Sequence, residues 1–312
     1  MKKHAVLFPG QGSQSAGMGM ALAQEFEVAR NVFEEVDDAL QDNLSWKIWH
    51  GEPDELNLTQ NAQPALMATS VAVARVLERE GYPVRKATCL AGHSLGEYSA
   101  LCVAGAMSLA DTARLLRIRG KAMQAAVPVG EGAMAAILGL RLDAVARIAA
   151  NASQDQVCSV ANVNTPIQIV VSGHREAVSR ASEQSLAAGA KRVVSLKVSA
   201  PFHCRLMQPA ADEMKAALAD TTIGRAQVPV IANVNAQPVE NPQEIRDLLV
   251  RQVTGTVRWT ATLELISSMG VRTALEAGAG SVLSGTVRGT VRSIRCRSVG
   301  SPEQIRRIIG NG

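Results

Sequence analysis

Short apolar runs that end in turn residues alternate along this chain with longer stretches in which apolar positions recur at helical spacing, a pattern that predicts strands joined by helices. His4 to Phe8 predicts a first buried strand, stopped by Pro9-Gly10. A helical pattern follows from about Ala16 to Leu40. Between Thr59 and Gly81 the helix signals agree: Thr59 or Asn61 can cap, Pro64 suits a first turn, Ala65 to Arg79 is rich in helix formers, and Gly81 closes the end. Ala87-Thr88-Cys89-Leu90 then predicts a strand, and Leu95 to Ala106 an Ala-rich helix. Ser108-Leu109-Ala110-Asp111 is a capping box for a further helix running toward Ala126.

The texture changes at Gly132. Ala133 to Leu140, Val157 to Asn162, Ile167 to Ser172 and Arg192 to Val198 read as strands, with helices at Leu142 to Ala152 and Glu176 to Ala188. That order, βαββαβ, is the ferredoxin-like unit, whose terminal strands lie side by side, so residues 128–198 can sit as an insert. The expected organisation is an α/β large domain of residues 1–127 and 199–312 carrying a ferredoxin-like small domain of residues 128–198. The large domain resumes with a strand at Val228 to Ala232, helices from Glu244 and over Thr260 to Met269, a strand at Thr273 to Glu276, and the turn Gly278-Ala279-Gly280.

Composition agrees with this picture. Of 312 residues, 47% are hydrophobic but only 3% aromatic, which suits an aliphatic core of helices packed on a parallel sheet. The apolar run after Met1-Lys2-Lys3 is too brief for a signal peptide, and no run approaches membrane-spanning length, so a soluble, cytoplasmic protein is expected. The five cysteines are scattered, with no Cys-x-x-Cys pair, which argues for reduced thiols and against a zinc site. No metal ligand set is visible. The net charge of +4 is modest, but Arg288, Arg292, Arg295, Arg297, Arg306 and Arg307 concentrate it in the tail. A solvated basic surface or the docking of an acidic partner would both account for that; nucleic acid is disfavoured, since the tail has no aromatics to stack bases.

Candidate chemistry centres on Ala91-Gly92-His93-Ser94-Leu95-Gly96-Glu97, a Gly-x-Ser-x-Gly pattern between a predicted strand and helix. A serine at such a turn exposes its hydroxyl, and the helix behind it offers free backbone N–H groups to a developing oxyanion. Ser94 is therefore the candidate nucleophile. Of the histidines, His93 is adjacent to it and diverges at a tight turn, while His4, His50 and His174 lie elsewhere in the chain. His203 follows the last strand of the insert, where the chain re-enters the large domain and a cleft is expected, and is the candidate base. Gly10-Gln11-Gly12 lacks the third glycine of a dinucleotide fingerprint, since Ser15 stands there; its loop can instead bring the N–H of Gln11 beside that of Leu95 as a two-donor oxyanion hole. Arg119 falls on the apolar side of its helix, opposite Arg114, Arg117 and Lys121, so its guanidinium requires an anion, either a structural carboxylate or a substrate.

With these residues in view, the chain resembles the malonyl-CoA:acyl carrier protein transacylases of bacterial fatty acid synthesis, nearly end to end. The resemblance rests on Phe8-Pro-Gly-Gln-Gly-Ser-Gln14, Thr59-Gln-Asn-Ala-Gln-Pro64, Gly92-His-Ser-Leu-Gly-Glu97, Arg119-Gly-Lys121, Asn162-Val-Asn-Thr-Pro166, Ser199-Ala-Pro-Phe-His203 and Val250-Arg-Gln252. It implies that Ser94 is acylated, that His203 is its base and acid, that Gln11 and Leu95 hold the oxyanion, and that Arg119 binds a malonyl carboxylate. It further implies that the backbone carbonyl of Gln252 orients the imidazole, that Gln63, Asn162 and His93 line the pocket, and that Phe202 is the malonyl-selective residue before the histidine. The implied fold is an α/β-hydrolase-like core with a ferredoxin-like insert. The implied partners are malonyl-CoA and acyl carrier protein, with no cofactor and a monomeric state. Gly278-Ala-Gly280 departs from the Gly-Pro-Gly of the family without touching the chemistry. Two alternatives share the serine and histidine: a thioesterase or editing hydrolase of carrier-bound acyl groups, and a malonyl-loading subunit of malonate decarboxylase.

Overall fold

Strands buried on both faces carry the larger half of the molecule, seen in a computed structural model that describes residues 3–310. In chain order the strands are β1 (His4–Phe8), β2 (Cys89–Gly92), β3 (Gly132–Leu138), β4 (Cys158–Thr165), β5 (Gln168–His174), β6 (Arg192–Ser195), β7 (Val230–Ile231), β8 (Pro238–Val239), β9 (Thr273–Ala277) and β10 (Arg295–Val299). A six-stranded sheet has the order β10-β9-β1-β2-β7-β8, parallel except where β8 runs against β7. Successive side chains of a strand point to opposite faces, and β1 uses both. Val6 and Phe8 join one apolar cluster, with the helices Glu27–Leu40, Thr59–Arg79 and Leu109–Ala125; Ala5 and Leu7 join another, with the helices Trp259–Ser268 and Val282–Thr290. A wholly buried Leu or Phe contributes about 1.5–3 kcal/mol, so β1 is anchored from both sides.

The second sheet is antiparallel, in the order β4-β5-β3-β6, with the terminal strands β3 and β6 adjacent. One face packs on its own helices, Leu142–Ser153 and Arg175–Ala187, through Ile137, Val145, Ile169 and Val171. Met134, Ala136 and Val170 on the other face join the main cluster of the large sheet's helices. The edge of β4 is held independently: Val163 N–H donates to Val257 O at 2.9 Å, and Val257 N–H to Ala161 O at 2.8 Å. The hydroxyls of Thr256 and Thr260 reach Val160 O and Val163 O at 2.7 and 3.1 Å.

Several elements differ from the sequence expectation. The helix expected over Ala16 to Leu40 is two, Met20–Glu25 and Glu27–Leu40, broken at the extended Phe26; its start is delayed by turns in which Gly17 and Gly19 have positive φ. Neither Thr59 nor Asn61 caps the Thr59–Arg79 helix, whose N-cap is Leu58, and Pro64 lies inside it rather than in its first turn. There its missing N–H leaves the carbonyl of Gln60 outside the helical ladder. The strand at the nucleophile starts at Cys89 and reaches Gly92, later than expected. The helices Gln208–Ala219, Val282–Thr290 and Pro302–Ile309 and the strand β10 had no counterpart in the expectation. Ser108 caps as expected, accepting from the N–H of Asp111 at 3.0 Å.

Candidate active site

Gln11 and Ser94 follow neighbouring parallel strands, so β1 and β2 deliver the candidate oxyanion donor and nucleophile to the same, carboxyl-terminal end of the sheet. Ser94 sits at φ 53°, ψ −109°, a strained backbone costing about 1–3 kcal/mol, immediately before the helix Leu95–Val103. The flanking glycines are required by contact. A Cβ on Gly92 would fall 1.9 Å from the carbonyl of Gly96, and one on Gly96 would fall 2.3 Å from Phe8 O. Asn233, just past β7, ties the turn down: its Oδ1 accepts the N–H of Ser94 at 2.7 Å and its Nδ2 donates to Gly92 O at 2.8 Å. The N–H groups of Gln11 and Leu95 have no acceptor among the described residues. The Gln11 side chain donates to Thr59 Oγ1 at 3.3 Å, and that hydroxyl meets Ser199 Oγ at 2.9 Å.

His203 also has positive φ, 59°, and its Nε2 lies 2.8 Å from Ser94 Oγ. Its Nδ1 lies 2.9 Å from the carbonyl of Gln252, which can only accept; Nδ1 therefore carries the proton and Nε2 is free to take one from the serine. Burial, followed by the charge of Arg119, pushes the imidazole down to about 3 from 6.5. An unfolded chain protonates this histidine near 6.5 and the folded chain only near 3, so unfolding binds a proton between those values and falling pH costs stability there. A His203→Gln variant lacks that slope. In denaturant titrations between pH 6 and 4, the native protein is expected to lose about 1 kcal/mol per pH unit more than the variant; equal slopes would contradict a neutral, buried base.

Arg119 is 1% exposed, and among the described residues no carboxylate lies within ion-pair distance of it. Its Nη1 donates to Gln63 Oε1 at 2.7 Å, and its Nη2 to Gln252 Oε1 at 2.9 Å and Ser94 Oγ at 3.1 Å. The Tyr98 ring centroid stands 5.6 Å from its guanidinium carbon. Gly120 lets this helix touch its neighbour backbone to backbone, since a Cβ there would lie 2.5 Å from Gln60 Cα. Behind the arginine, the Gln252 amide nitrogen donates to Glu97 Oε2 at 2.7 Å, and burial lifts that carboxyl to about 7. These groups open on a cleft of about 540 Å³ lined by Gln11, Gln63, His93, Ser94, Arg119, Met134, Asn162, Phe202 and His203, with Lys197 and Ser199 at the same cavity.

The arrangement thus brings Ser94, His203, Gln11, Arg119, Gln63, Asn162, Phe202 and His93 to one cleft, with Leu95 next to the serine and the Gln252 carbonyl behind the imidazole. His93 turns away from the serine, pairing its Nε2 with Asn164 Oδ1 at 2.9 Å and packing edge-on against Trp259. His174 accepts the N–H of Val157, and His4 lies against Pro83 O, both away from the cleft. None of the tail arginines lines the cleft; Arg295 aligns with Thr273 and His4 at the amino-terminal end of the strands, opposite Ser94. Among the described residues there is no cluster of three or more metal-binding side chains and no helix long and apolar enough to cross a membrane. Sequence reasoning missed Asn233, Glu97 and the side chain of Gln252. Two of them had a signal: Asn233 is a polar residue directly after the expected strand ending at Ala232, and Glu97 closes the serine motif that begins at Gly92.

A strained serine at a strand–helix turn, a neutral histidine on its hydroxyl and a pair of free N–H groups define a site for acyl transfer through a serine ester. The chain belongs to the acyl transferase family, whose acyl transferase domain matches residues 6–308. It is 44% identical over 306 residues to the malonyl CoA-acyl carrier protein transacylase of Bacillus subtilis (strain 168), covering 98% of this chain and 96% of that one. The acyl-carrier-protein-S-malonyltransferase of Bartonella henselae has a crystal structure that superposes with a TM-score of 0.95 at 54% identity, covering 99% of both chains. A malonyl-transacylase in complex with its type II PKS acyl-carrier protein matches with a TM-score of 0.96 at 42% identity, over 100% of both chains.

Proposed function

We propose that this protein moves a malonyl group from malonyl-CoA to the phosphopantetheine thiol of an acyl carrier protein, through a malonyl ester on Ser94. The observation that carries the reading is the buried Arg119, which pairs with no carboxylate among the described residues and stands 3.1 Å from Ser94 Oγ at the cleft. Its fork suits a carboxylate that arrives with the acyl group. In the first half-reaction His203 Nε2 takes the serine proton as Oγ adds to the thioester carbonyl, and the N–H groups of Gln11 and Leu95 receive the oxyanion. On collapse the carbon–sulfur bond breaks and the imidazolium returns its proton to the CoA sulfur. In the second half-reaction the carrier thiol gives its proton to His203, attacks the ester carbonyl, and Ser94 Oγ leaves with that proton. The Gln252 carbonyl holds the imidazole in the required tautomer throughout. Gln63 steadies the guanidinium, while Asn162, Phe202 and His93 shape the acyl and thioester space.

The reading needs no metal or organic cofactor and describes a soluble, cytoplasmic monomer. Residues 128–198 serve in it as a small domain that closes one side of the cleft against the large domain of residues 1–127 and 199–312. Intact mass spectrometry tests it. Mixing with malonyl-CoA should add one malonyl group, and a phosphopantetheinylated carrier protein should then remove it with an equal gain in carrier mass. An adduct released only as free malonate would indicate a hydrolase, and no adduct would sink the acyl assignment.

A further inference from the structure

Directly behind the nucleophile stands a carboxylate to which the transfer chemistry above gives no role. Glu97 lies one helical turn beyond Ser94 and is 1% exposed. Its Oε2 accepts from the backbone N–H of Asn233 at 3.0 Å and from the Gln252 amide nitrogen at 2.7 Å. The same nitrogen reaches the carbonyl of Ser94 at 3.0 Å. With the nitrogen held there, the amide oxygen faces Arg119 Nη2 at 2.9 Å. Turned over, the amide would set its oxygen against a carboxylate and a carbonyl, and its N–H groups against a guanidinium that has nothing to accept with. Glu97 Oε2 already takes the N–H of Asn233 and stays an acceptor even when the other oxygen is protonated, so this side chain selects one of two sterically equivalent orientations. Buried polar chains of this kind are high-stakes, because a member left unpaired is costly.

We propose that Glu97 is a positioning residue that sets selectivity for carboxylate-bearing acyl groups, by fixing the Gln252 amide and through it the guanidinium of Arg119. This rests on the reading of Arg119 as the partner of the malonyl carboxylate. A purely structural role would act differently. Asn233 supports the nucleophile turn, so disturbing it slows every acyl group alike, whereas misaligning Arg119 penalises only those with a carboxylate.

The test compares kcat/KM for acylation by malonyl-CoA and by acetyl-CoA in Glu97→Leu, Glu97→Gln, Gln252→Met, which keeps the main-chain carbonyl, and the Glu97→Leu/Gln252→Met double variant. Glu97→Leu is expected to lower the malonyl-to-acetyl ratio about 10- to 100-fold, the range for one hydrogen bond to a charged group. Glu97→Gln, whose amide oxygen can still accept, should restore the ratio to within about threefold of the native protein. In the Gln252→Met background Glu97→Leu should change the ratio no further. Equal losses for both acyl groups, or an undiminished effect of Glu97→Leu in that background, would overturn the proposal. Should Glu97→Leu fail to fold, Gln252→Met reads the same link from its other end: a fall in the ratio supports it and an unchanged ratio overturns it. The native protein run alongside separates the two readings, since absence of a malonyl adduct there strikes the transfer reaction and leaves the acetyl comparison intact.

Discussion

A Ser94→Ala protein is expected to gain no mass from malonyl-CoA and to lose transfer to a carrier by about 10⁴-fold or more, because removal of a covalent nucleophile leaves only binding and the oxyanion donors. The fold gives no reason for wider damage. Alanine fits the space, and Asn233 holds Ser94 through its backbone N–H, which alanine keeps. Thermal melting should therefore stay close to that of the native chain while activity disappears. His203→Ala should give a loss of similar order, and the double variant little more, since the two residues make one relay. A malonyl adduct persisting in Ser94→Ala would move the nucleophile elsewhere.

Arg119→Ala should separate acyl groups by charge. Malonyl acylation is expected to fall by on the order of 100-fold, about 3 kcal/mol, as for the loss of one partner of a buried charged pair. Acetyl acylation should be kept or increased. Two effects work together: the malonyl carboxylate loses its fork, and the imidazole loses the positive charge that helps to depress its basicity. Stopped-flow acylation with both thioesters would measure the ratio. Equal loss of both activities would remove Arg119 from carboxylate recognition and leave it a structural tie between Gln63 and Gln252.

The parts of this molecule that were legible in the chain are those with a local cause. The run His4 to Phe8, the Ser108 cap and the βαββαβ order each carry their own period or capping chemistry, and Gly92 and Gly96 announce a turn too tight for a side chain. Arg119 could be read as buried because helical geometry alone sets it among leucines. What stayed hidden depends on distant partners. Gln252 was expected to act through its carbonyl, but its side chain also bridges Arg119 and Glu97, 133 and 155 residues away in sequence. Thr59 looked like a cap and is instead a link between Gln11 and Ser199, because the chain enters that helix through Leu58. The late elements were missed for a simpler reason: β10, Arg295–Val299, alternates arginine with small residues at a sheet edge and so lacks an apolar run.

The seam between β4 and residues 256–260 bears on how two bulky thioesters take turns at one serine. Backbone and threonine hydrogen bonds stitch the small sheet to the stretch that leaves Gln252, and Gln252 carries the carbonyl on which His203 leans. Swinging the sheet aside would drag the imidazole off Ser94. On the proposed reading, donor and acceptor arms would reach the serine with this sheet in place, through the cleft that Lys197 and Ser199 help to line.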